Sequence, residues 1–304
     1  DDDLSRGLGD VYKRQKETLV IGIGNQKGGV GKTTMTVQLA CALAEMGRRV
    51  LIIDLDVNAG STKHFGINPK AYLGTFEVLL GDEEPLDVAV SCEDEKGLPE
   101  NLYIITGSRK LEDLEERLNT KRSKFANSVP TDVLRPVADK LRGHFDYVFL
   151  DTPPSAPLPI IAAYRSADGF LLVAIPEGLA IEGLSEALHD IEEVRNVAGH
   201  NLQLIGLALG AVDKRTRLSK ELVDYCNDEF ADYVLQPIIP RSTIIPTAQT
   251  QHKTVFQTEP EHPITNAFRQ MAKDFEKKIE TRLGITVGAD ANEEQSSYQE
   301  VANG

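Results

Sequence analysis

Short apolar runs alternate with amphipathic stretches through most of the chain. Seven runs rich in Val, Ile and Leu predict strands, at residues 18–24, 50–54, 102–106, 147–151, 170–175, 204–209 and 234–238. Between them, apolar residues recur at helical spacing and predict helices that include 33–46, 110–118, 131–141, 182–197 and 218–229. Strands that are apolar on both faces and separated by helices form parallel sheets that are covered on both sides. We therefore predict an α/β fold, a doubly wound and mostly parallel sheet with helices on both faces.

The last amphipathic stretch, residues 265–283, places its large apolar side chains on one face of a helix. They are Phe268, Met271, Ala272, Phe275 and Ile279. We expect this helix to dock on the core of the domain. An amphipathic membrane anchor is the alternative interpretation.

The two ends of the chain lack such periodicity. Residues 1–15 show neither a helical nor a strand period and no apolar run typical of a secretory signal, so we expect a non-native or disordered tail there. Residues 284–304 are polar and acidic, and we expect a second disordered tail. The folded domain is therefore predicted to span residues 16–283. No apolar run approaches the roughly 18 to 20 residues that cross a bilayer.

Composition narrows the class of protein further. The three cysteines among the 304 residues, at positions 41, 92 and 226, are too scattered for a disulfide framework or a cysteine metal site, so we expect a cytoplasmic protein. The net charge of -14 argues against a uniformly basic DNA coat but permits a local basic patch, and the sign does reverse at residues 212–220. The most acidic stretch, residues 82–100, is interpreted either as a solvated loop or as a docking surface for a basic peptide.

The segment after the first predicted strand carries the most informative chemistry, GNQKGGVGKTT at residues 24–34. A glycine-rich loop between a strand and a helix lets backbone N–H groups point at phosphate oxygens beside the positive end of the helix. Lys32 would then reach the β- and γ-phosphates of a nucleotide, Thr33 would coordinate Mg²⁺ and Thr34 would contact the α-phosphate. The residues of this loop expected to bind nucleotide are Gly28, Gly29, Val30, Gly31, Lys32, Thr33 and Thr34.

The loop departs from the general phosphate-binding pattern GxxxxGK[ST], because Gln26 occupies the position of the first glycine. With Lys27 before the glycine pair, KGGVGKTT resembles the deviant Walker A loop of the ParA/MinD family of ATPases, and the resemblance covers residues 18–283. In that family the additional lysine crosses the interface of a nucleotide-sandwich dimer and contacts the partner's phosphates. The resemblance therefore implies ATP and Mg²⁺ as cofactors, an ATP-dependent homodimer, and a catalytic role in trans for Lys27 beside that of Lys32.

Strand-end acids complete this motif set. Asp54 ends the second predicted strand, and Asp56 lies two residues on, in DLDVNAGST. The resemblance implies that Asp56 orients or activates the attacking water and supports the metal shell, although Val57 and Asn58 replace the usual Pro-Gln. Asp151 ends the run at 147–151 and resembles the Walker B acid, which holds a Mg²⁺-bound water. The implied metal-site residues are Thr33, Asp56 and Asp151.

Two later segments resemble the chromosome and plasmid partition ATPases within this family. Residues 213–219 are similar to their D-x-R-T-x-L segment, and residues 239–242 to their IPR segment, which lies beside the adenine and so implies nucleotide contacts from Pro240 and Arg241. In these proteins the ATP dimer binds DNA without sequence preference, and a centromere-binding ParB-like partner stimulates hydrolysis. Nonspecific binding requires phosphate contacts from Lys or Arg. The candidate DNA contacts are Lys214, Arg215, Arg217, Arg241 and Lys253.

The favoured interpretation is a cytoplasmic, nucleoid-associated enzyme that converts ATP and water to ADP and phosphate during plasmid or chromosome partition. One alternative is that the same switch positions a protein cluster or microcompartment on the nucleoid. Another is a MinD-like, membrane-associated regulator of the division site. That protein would need a basic amphipathic C-terminal helix, whereas the tail here is acidic, so no membrane partner is expected.

Overall fold

A computed structural model of the chain describes residues 18–93, 98–122, 130–176, 180–213 and 215–285. Its strands are β1 (Leu19–Gly24), β2 (Val50–Asp54), β3 (Val90–Ser91), β4 (Leu102–Ile105), β5 (Tyr147–Asp151), β6 (Gly169–Ala174) and β7 (Gln203–Leu209). They form one seven-stranded sheet in the order β3-β4-β2-β5-β1-β6-β7. All neighbours pair in parallel except β3 and β4, which are antiparallel. The predicted fold class is confirmed.

Helices connect the strands and cover the sheet. They are α1 (Lys32–Glu45), α2 (Gly60–His64), α3 (Thr75–Leu80), α4 (Leu114–Arg122), α5 (Leu134–Leu141), α6 (Pro157–Ser166), α7 (Ala180–Ala198), α8 (Arg217–Glu229), α9 (Ile244–Thr250), α10 (Val255–Thr258) and α11 (Pro263–Leu283). Short 3-10 helices span Arg109–Asp113 and Pro130–Asp132. Because both faces of the sheet are covered, every residue of β1, β2, β5 and β6 is buried.

The order of the strands indicates at which edge of the sheet a ligand is expected to bind. The chain leaves β1 for one side of the sheet and later returns to β6 on its other side. Ligands of doubly wound sheets bind at the carboxyl ends of the strands where the order reverses in this way. Asp54 and Asp151 end adjacent strands in register, and Ile23 of β1 is the other partner of Asp151. The carboxyl ends of β2, β5 and β1 therefore lie side by side at the same edge of the sheet.

The apolar face of α11 is part of the core. Its five predicted apolar residues, from Phe268 to Ile279, are each at most 1% exposed. The ring of Phe275 lies 5.8 Å from that of Tyr147 and 5.9 Å from that of Phe149. The docked-helix interpretation is thus confirmed. In the residues that the structure describes, no helix is both long and apolar enough to cross a bilayer.

Several expectations differ from the observed elements. The predicted strand at 234–238 is wrong, because this stretch makes a single isolated bridge between Leu207 and Val234. Pro237 has no N–H to donate, so a ladder cannot continue through it. The short helices α2, α3, α9 and α10 and the helix α6 were not predicted, since most of them are too short to show a helical period.

The stretch after β7 nevertheless covers the outer edge of that strand. Leu207 N–H donates to Tyr233 C=O (2.8 Å), and Leu235 N–H donates back to Leu207 C=O (2.9 Å). Further along, Ile239 N–H donates to Leu209 C=O (3.0 Å). The edge of β7 thus makes hydrogen bonds within the same chain.

Some predictions fall outside the described residues. Both predicted tails lie there, apart from residues 284 and 285, as do Lys214 and residues 94–97 of the acidic stretch. Within the described part of that stretch, Asp82 pairs with Lys121 and Glu84 pairs with Lys140 at 2.7 Å. These acids are therefore partly neutralised by the chain itself.

Candidate functional site

The loop between β1 and α1 has the backbone of a phosphate-binding loop. Gly29 and Gly31 adopt left-handed conformations, with φ of 76° and 85°. Left-handed backbone favours glycine, because a Cβ atom there is close to the following carbonyl. Gly31 is the residue directly before α1, so the N–H groups at the start of α1 face the loop. Residues 26–29 are exposed, while Val30 is buried.

Side chains tie this loop to the sheet and to α1. The Asn25 side chain donates to Val173 C=O (2.9 Å) on β6 and accepts from the Lys27 N–H (2.9 Å). Lys32 is buried, with 6% of the residue exposed, and its ammonium group donates to Lys27 C=O (3.0 Å). Burial lowers the pKa of Lys32, although the charges of Asp151 and Asp56 act in the opposite direction. The Lys27 side chain itself is exposed.

Hydroxyl groups surround Asp151, which is completely buried. Ser61 Oγ donates to one carboxylate oxygen (2.6 Å), and Thr36 Oγ1 lies 3.2 Å from the other. The Thr33 hydroxyl also hydrogen-bonds this carboxylate. Burial raises the pKa of Asp151 to about 6, despite these hydroxyl groups, and the charge of Asp56 contributes in the same direction. Thr33, Asp151 and Lys32 thus lie in one cluster.

Asp54 is a second fully buried carboxylate. It accepts hydrogen bonds from Thr62 N–H (2.9 Å), from Thr62 Oγ1 (2.7 Å) and from Asp56 N–H (3.1 Å). Burial and then the charge of Asp151 raise its pKa to about 7. Gly107 closes the other side, where a Cβ atom would lie 2.7 Å from the carboxyl carbon of Asp54. Asp54 therefore fixes the segment between β2 and α2.

Asp56 is half-buried and lies at the open side of this cluster. One of its oxygens accepts both the N–H (2.8 Å) and the side-chain amide (3.0 Å) of Asn58. Lys63 donates in turn to Asn58 C=O (2.6 Å). Ala59, which follows, has a left-handed backbone with φ of 51°. The replacement of Pro-Gln by Val57 and Asn58 thus leaves the Asp56 carboxylate directed by Asn58.

A cleft of about 270 Å³ opens beside the loop. Its walls include Val173, Ile175, Pro240, Arg241, Ile245 and Phe268, and the loop residues 29–31 form one end. The backbone of Arg241 is held by its N–H to Val212 C=O (2.9 Å). Thr34 also lines the cleft, and its hydroxyl accepts from the side chain of Gln249 (2.7 Å). Pro240 and Arg241 are thus placed next to the phosphate loop, with an apolar wall suited to a flat ring.

Among the described candidate DNA contacts, Arg215 and Arg241 both act on the carboxylate of Asp213. Arg215 makes two hydrogen bonds to Asp213 (2.9 and 2.7 Å), and Arg217 pairs with Glu221 (2.7 Å). Arg215 lowers the pKa of Asp213, with a smaller contribution from Arg241. Lys253 is half-buried and follows His252, whose ring contacts Lys63 C=O (2.8 Å) on the side of α2.

Several residues of the site were not singled out from the sequence, namely Ser61, Thr62, His64, Gly107 and Gln249. Two adjacent hydroxyl residues five and six positions after Asp56 are a usable signal for Ser61 and Thr62. Gly107 and Gln249 carry no local signal, because their partners lie far away in the sequence.

A left-handed glycine loop, a buried lysine and a strand-end carboxylate ringed by hydroxyl groups define a nucleotide-binding α/β protein of the P-loop class. The model of the AAA domain family matches residues 18–204. The chromosome partitioning protein ParA of Caulobacter vibrioides is 32% identical over 259 residues, which are 84% of this chain and 92% of that protein. The chromosome-partitioning ATPase Soj of Thermus thermophilus is 30% identical over 260 residues, 86% of this chain and 96% of that protein.

A solved structure with the same fold carries a nucleotide. Cobyrinic acid a,c-diamide synthase from Mycobacterium smegmatis, with a bound ATP analog and magnesium, superposes with a TM-score of 0.72 and 27% identity, over 90% of this chain and 99% of that one. The family itself is established by the two partition relatives, which are 30% and 32% identical over most of the chain. The chain belongs to the ParA family of chromosome-partitioning ATPases.

Proposed function

We propose that this chain is a partition ATPase that dimerises when it binds ATP and Mg²⁺, binds DNA nonspecifically as a dimer and is released by hydrolysis. A centromere-binding ParB-like partner would stimulate that hydrolysis, and the protein would act in the cytoplasm on the nucleoid. The observation that carries the proposal is the convergence of Lys32, Thr33, Asp56 and Asp151 beside the left-handed glycines. These groups supply the cation, hydroxyl and carboxylates that phosphoryl transfer requires.

The nucleotide would lie along the loop and the adjoining cleft. The N–H groups of residues 28–31 would bind the phosphates, with Lys32 at the β- and γ-phosphates and Thr34 at the α-phosphate. Pro240 and Arg241 would contact the base in the cleft beside Thr34. The exposed Lys27 would extend to the phosphates of a second copy, in the manner of an arginine finger.

The oxygen donors at the strand ends suit Mg²⁺, which prefers hard oxygen ligands and keeps several waters. Thr33, Asp56 and Asp151 would hold the ion together with the phosphates. When bound, Mg²⁺ neutralises charge on the transferred phosphoryl group. The half-buried Asp56 carboxylate, already directed by Asn58, would orient the attacking water.

The substitution Asp56→Ala tests the assignment of the hydrolytic residue. We expect turnover to fall about 100-fold or more, because a group that positions or activates the nucleophile contributes on that scale. Binding of a non-hydrolysable ATP analogue should persist. ATP hydrolysis, with and without DNA, and analogue binding are the measurements. Asp224→Ala, at an exposed acid on α8, is the matched control. Turnover at the control's rate in Asp56→Ala would refute the assignment.

The double substitution of Arg215 and Arg217 by Ala tests the DNA surface. The side chains of Arg215 and Arg217 are 86% and 91% exposed, so DNA phosphates can reach both guanidinium groups. We expect weaker binding of duplex DNA and a salt dependence reduced by about 0.9 per lost phosphate contact. The control is Arg109→Ala, which is 87% exposed against 86% for Arg215 and is also paired with an acid. Equal DNA affinity in the double variant and the control would overturn this surface.

A further inference from the structure

Residues 249–255 run from the end of α9 to the start of α10. They contact α1 and α2, the two helices that line the nucleotide site. Gln249 donates to the hydroxyl of Thr34 at 2.7 Å. His252 contacts the carbonyl of Lys63 at 2.8 Å. The backbone of Lys253 lies close to the ring of His64 and raises its pKa, against the larger effect of burial. Residues far apart in the chain are thus joined by side-chain hydrogen bonds immediately behind the phosphate loop.

The contacts with α1 follow one face of that helix. Thr34, Gln38 and Cys41 are spaced at four and three residues, which places them on the same face. Gln38 is completely buried, and its carbonyl oxygen accepts from Val255 N–H at 3.4 Å. Thr254 hydrogen-bonds the thiol of Cys41. A polar face of the phosphate-loop helix is therefore satisfied by residues 249–255 rather than by solvent.

The contacts with α2 are divided between its two ends. The first residues of α2 face the site: Ser61 donates to Asp151, Thr62 donates to Asp54, and Gly60 approaches Thr33, where a Cβ atom would lie 3.1 Å away. The last residues, Lys63 and His64, face residues 249–255. A helix of five residues is short, so fixing one end also fixes the other.

His64 joins all three elements. Its ring is buried, with Nε2 3.3 Å from Nε2 of Gln38, and the ring also lies close to the Lys253 backbone. A neutral imidazole satisfies both contacts, since one nitrogen accepts from the Gln38 amide and the other donates to a carbonyl. A buried polar group that loses its partner is costly, so this arrangement resists rearrangement.

We propose that Gln249 and His64 are positioning residues of the nucleotide site, through which residues 249–255 set the Thr34 hydroxyl and the orientation of α2. The proposal rests on the proposed ATPase function. The two residues act on different parts of the reaction. Gln249 orients a group that contacts the α-phosphate, which ATP and ADP share. His64 places Ser61 and Thr62 against the two buried acids, beside the residue that orients water.

Gln249→Met tests the proposed role of Gln249, because Met has a similar length and no hydrogen-bond donor. We expect the affinity for both ADP and a non-hydrolysable ATP analogue to fall about fivefold, as for the loss of one positioned hydrogen bond, with kcat nearly unchanged. In a Thr34→Val background the same substitution should have no further effect. The matched control is Gln251→Met, at an exposed glutamine of the same segment. Equal affinities for the variant and the control, or full additivity with Thr34→Val, would overturn the proposal.

His64→Leu and His64→Asn test the proposed role of His64. We expect His64→Leu to lower kcat about fivefold or more while affinity for the analogue is retained. His64→Asn should recover part of that rate, because its amide can still donate to the Lys253 backbone. His144→Leu, at an exposed histidine, is the control. Thermal unfolding shows whether each variant is folded. A folded His64→Leu protein with the control's kcat would show a structural role only and contradict the proposal.

Measurements on the wild-type protein distinguish a failure of the proposed ATPase function from a failure of the positioning proposal. If it binds nucleotide without hydrolysing it, the proposed ATPase function fails. The affinities of Gln249→Met for ADP and the analogue still decide the proposed role of Gln249. If it hydrolyses ATP but the Gln249 and His64 variants match their controls, only the positioning proposal fails. If it binds neither ADP nor the analogue, both are refuted.

Discussion

Asp54 and Asp151 end neighbouring strands with no exposed surface, and burial raises the pKa of each. The buried Lys32 beside them has its pKa lowered for the same reason. In each case burial disfavours the charged form of the side chain. Cations arriving beside the acids, and phosphates arriving beside the lysine, would reverse these shifts. We therefore expect Mg²⁺ and nucleotide together to stabilise the fold more than either does alone.

The pH dependence of Asp54→Asn tests the burial of this acid. The pKa of Asp54 is about 7 in the folded protein, against about 3.9 in an unfolded chain. Its ionisation therefore destabilises the fold, fully above pH 7, and this penalty declines as the pH falls towards 4. The variant lacks the penalty, so its melting temperature relative to wild type should be higher at pH 8 than at pH 5.5.

The measurement is thermal unfolding of the nucleotide-free protein at the two pH values. Asp224→Asn, at an exposed acid, should show the same difference from wild type at both. A difference for Asp54→Asn that does not change with pH would show that this carboxyl group titrates normally.

The site residues that could be found from the sequence are those that belong to a contiguous motif. Lys32 and Thr33 begin α1 directly after the loop that follows β1, and Asp151 ends the neighbouring strand β5, so their proximity follows from the parallel pairing of the two strands. His64, Gly107 and Gln249 could not be found in this way. Gln249 meets Thr34 across 215 positions of sequence, and nothing in the surrounding sequence marks it as different from other polar surface residues.

At the scale of elements, the start of α1 depends on the left-handed backbone of the residue before it. Gly31 has a φ of 85°, and a Cβ atom there would meet nothing within 4 Å, so substitution would cause backbone strain without a steric clash. Gly31→Ala should lower the free energy of unfolding by about 1–2 kcal/mol. Chemical denaturation of the nucleotide-free protein measures this.

Gly28→Ala is the matched control for stability. Gly28 lies in the same loop, and its Cβ atom would make only an ordinary 3.8 Å contact with Pro154. Its free energy of unfolding should stay close to that of wild type. If both variants lose the same stability, the left-handed conformation of Gly31 is not what stabilises the start of α1.

The strands were the best-predicted elements, because burial on both faces produces uninterrupted apolar runs such as 50–54 and 147–151. The short elements near the site were not predictable. The five residues of α2 complete little more than one turn, so no periodicity appears. Apolar composition alone suggested a strand at 234–238, where Pro237 interrupts the ladder.

For the whole molecule, the central prediction is dimerisation by ATP. The 33.4 kDa chain should roughly double its mass in size-exclusion chromatography with light scattering when Mg²⁺ and a non-hydrolysable ATP analogue are present. Lys27→Ala should remain monomeric while still binding the analogue, because the exposed Lys27 is the group proposed to cross to the second copy. Lys70→Ala, at another exposed lysine, is the control. A wild-type protein that stays monomeric would refute the sandwich arrangement.

The covered edge of β7 limits how two copies can associate. An unpaired strand edge is a template on which another chain can add a strand. Here the backbone groups of Leu207 and Leu209 already bond to residues 233–239 of their own chain. Pro237 and Pro240 leave that covering stretch short of donors for any further strand. Extension of the sheet from one molecule into the next is thus disfavoured at this edge, so a second copy that associates with the first would do so through other surfaces.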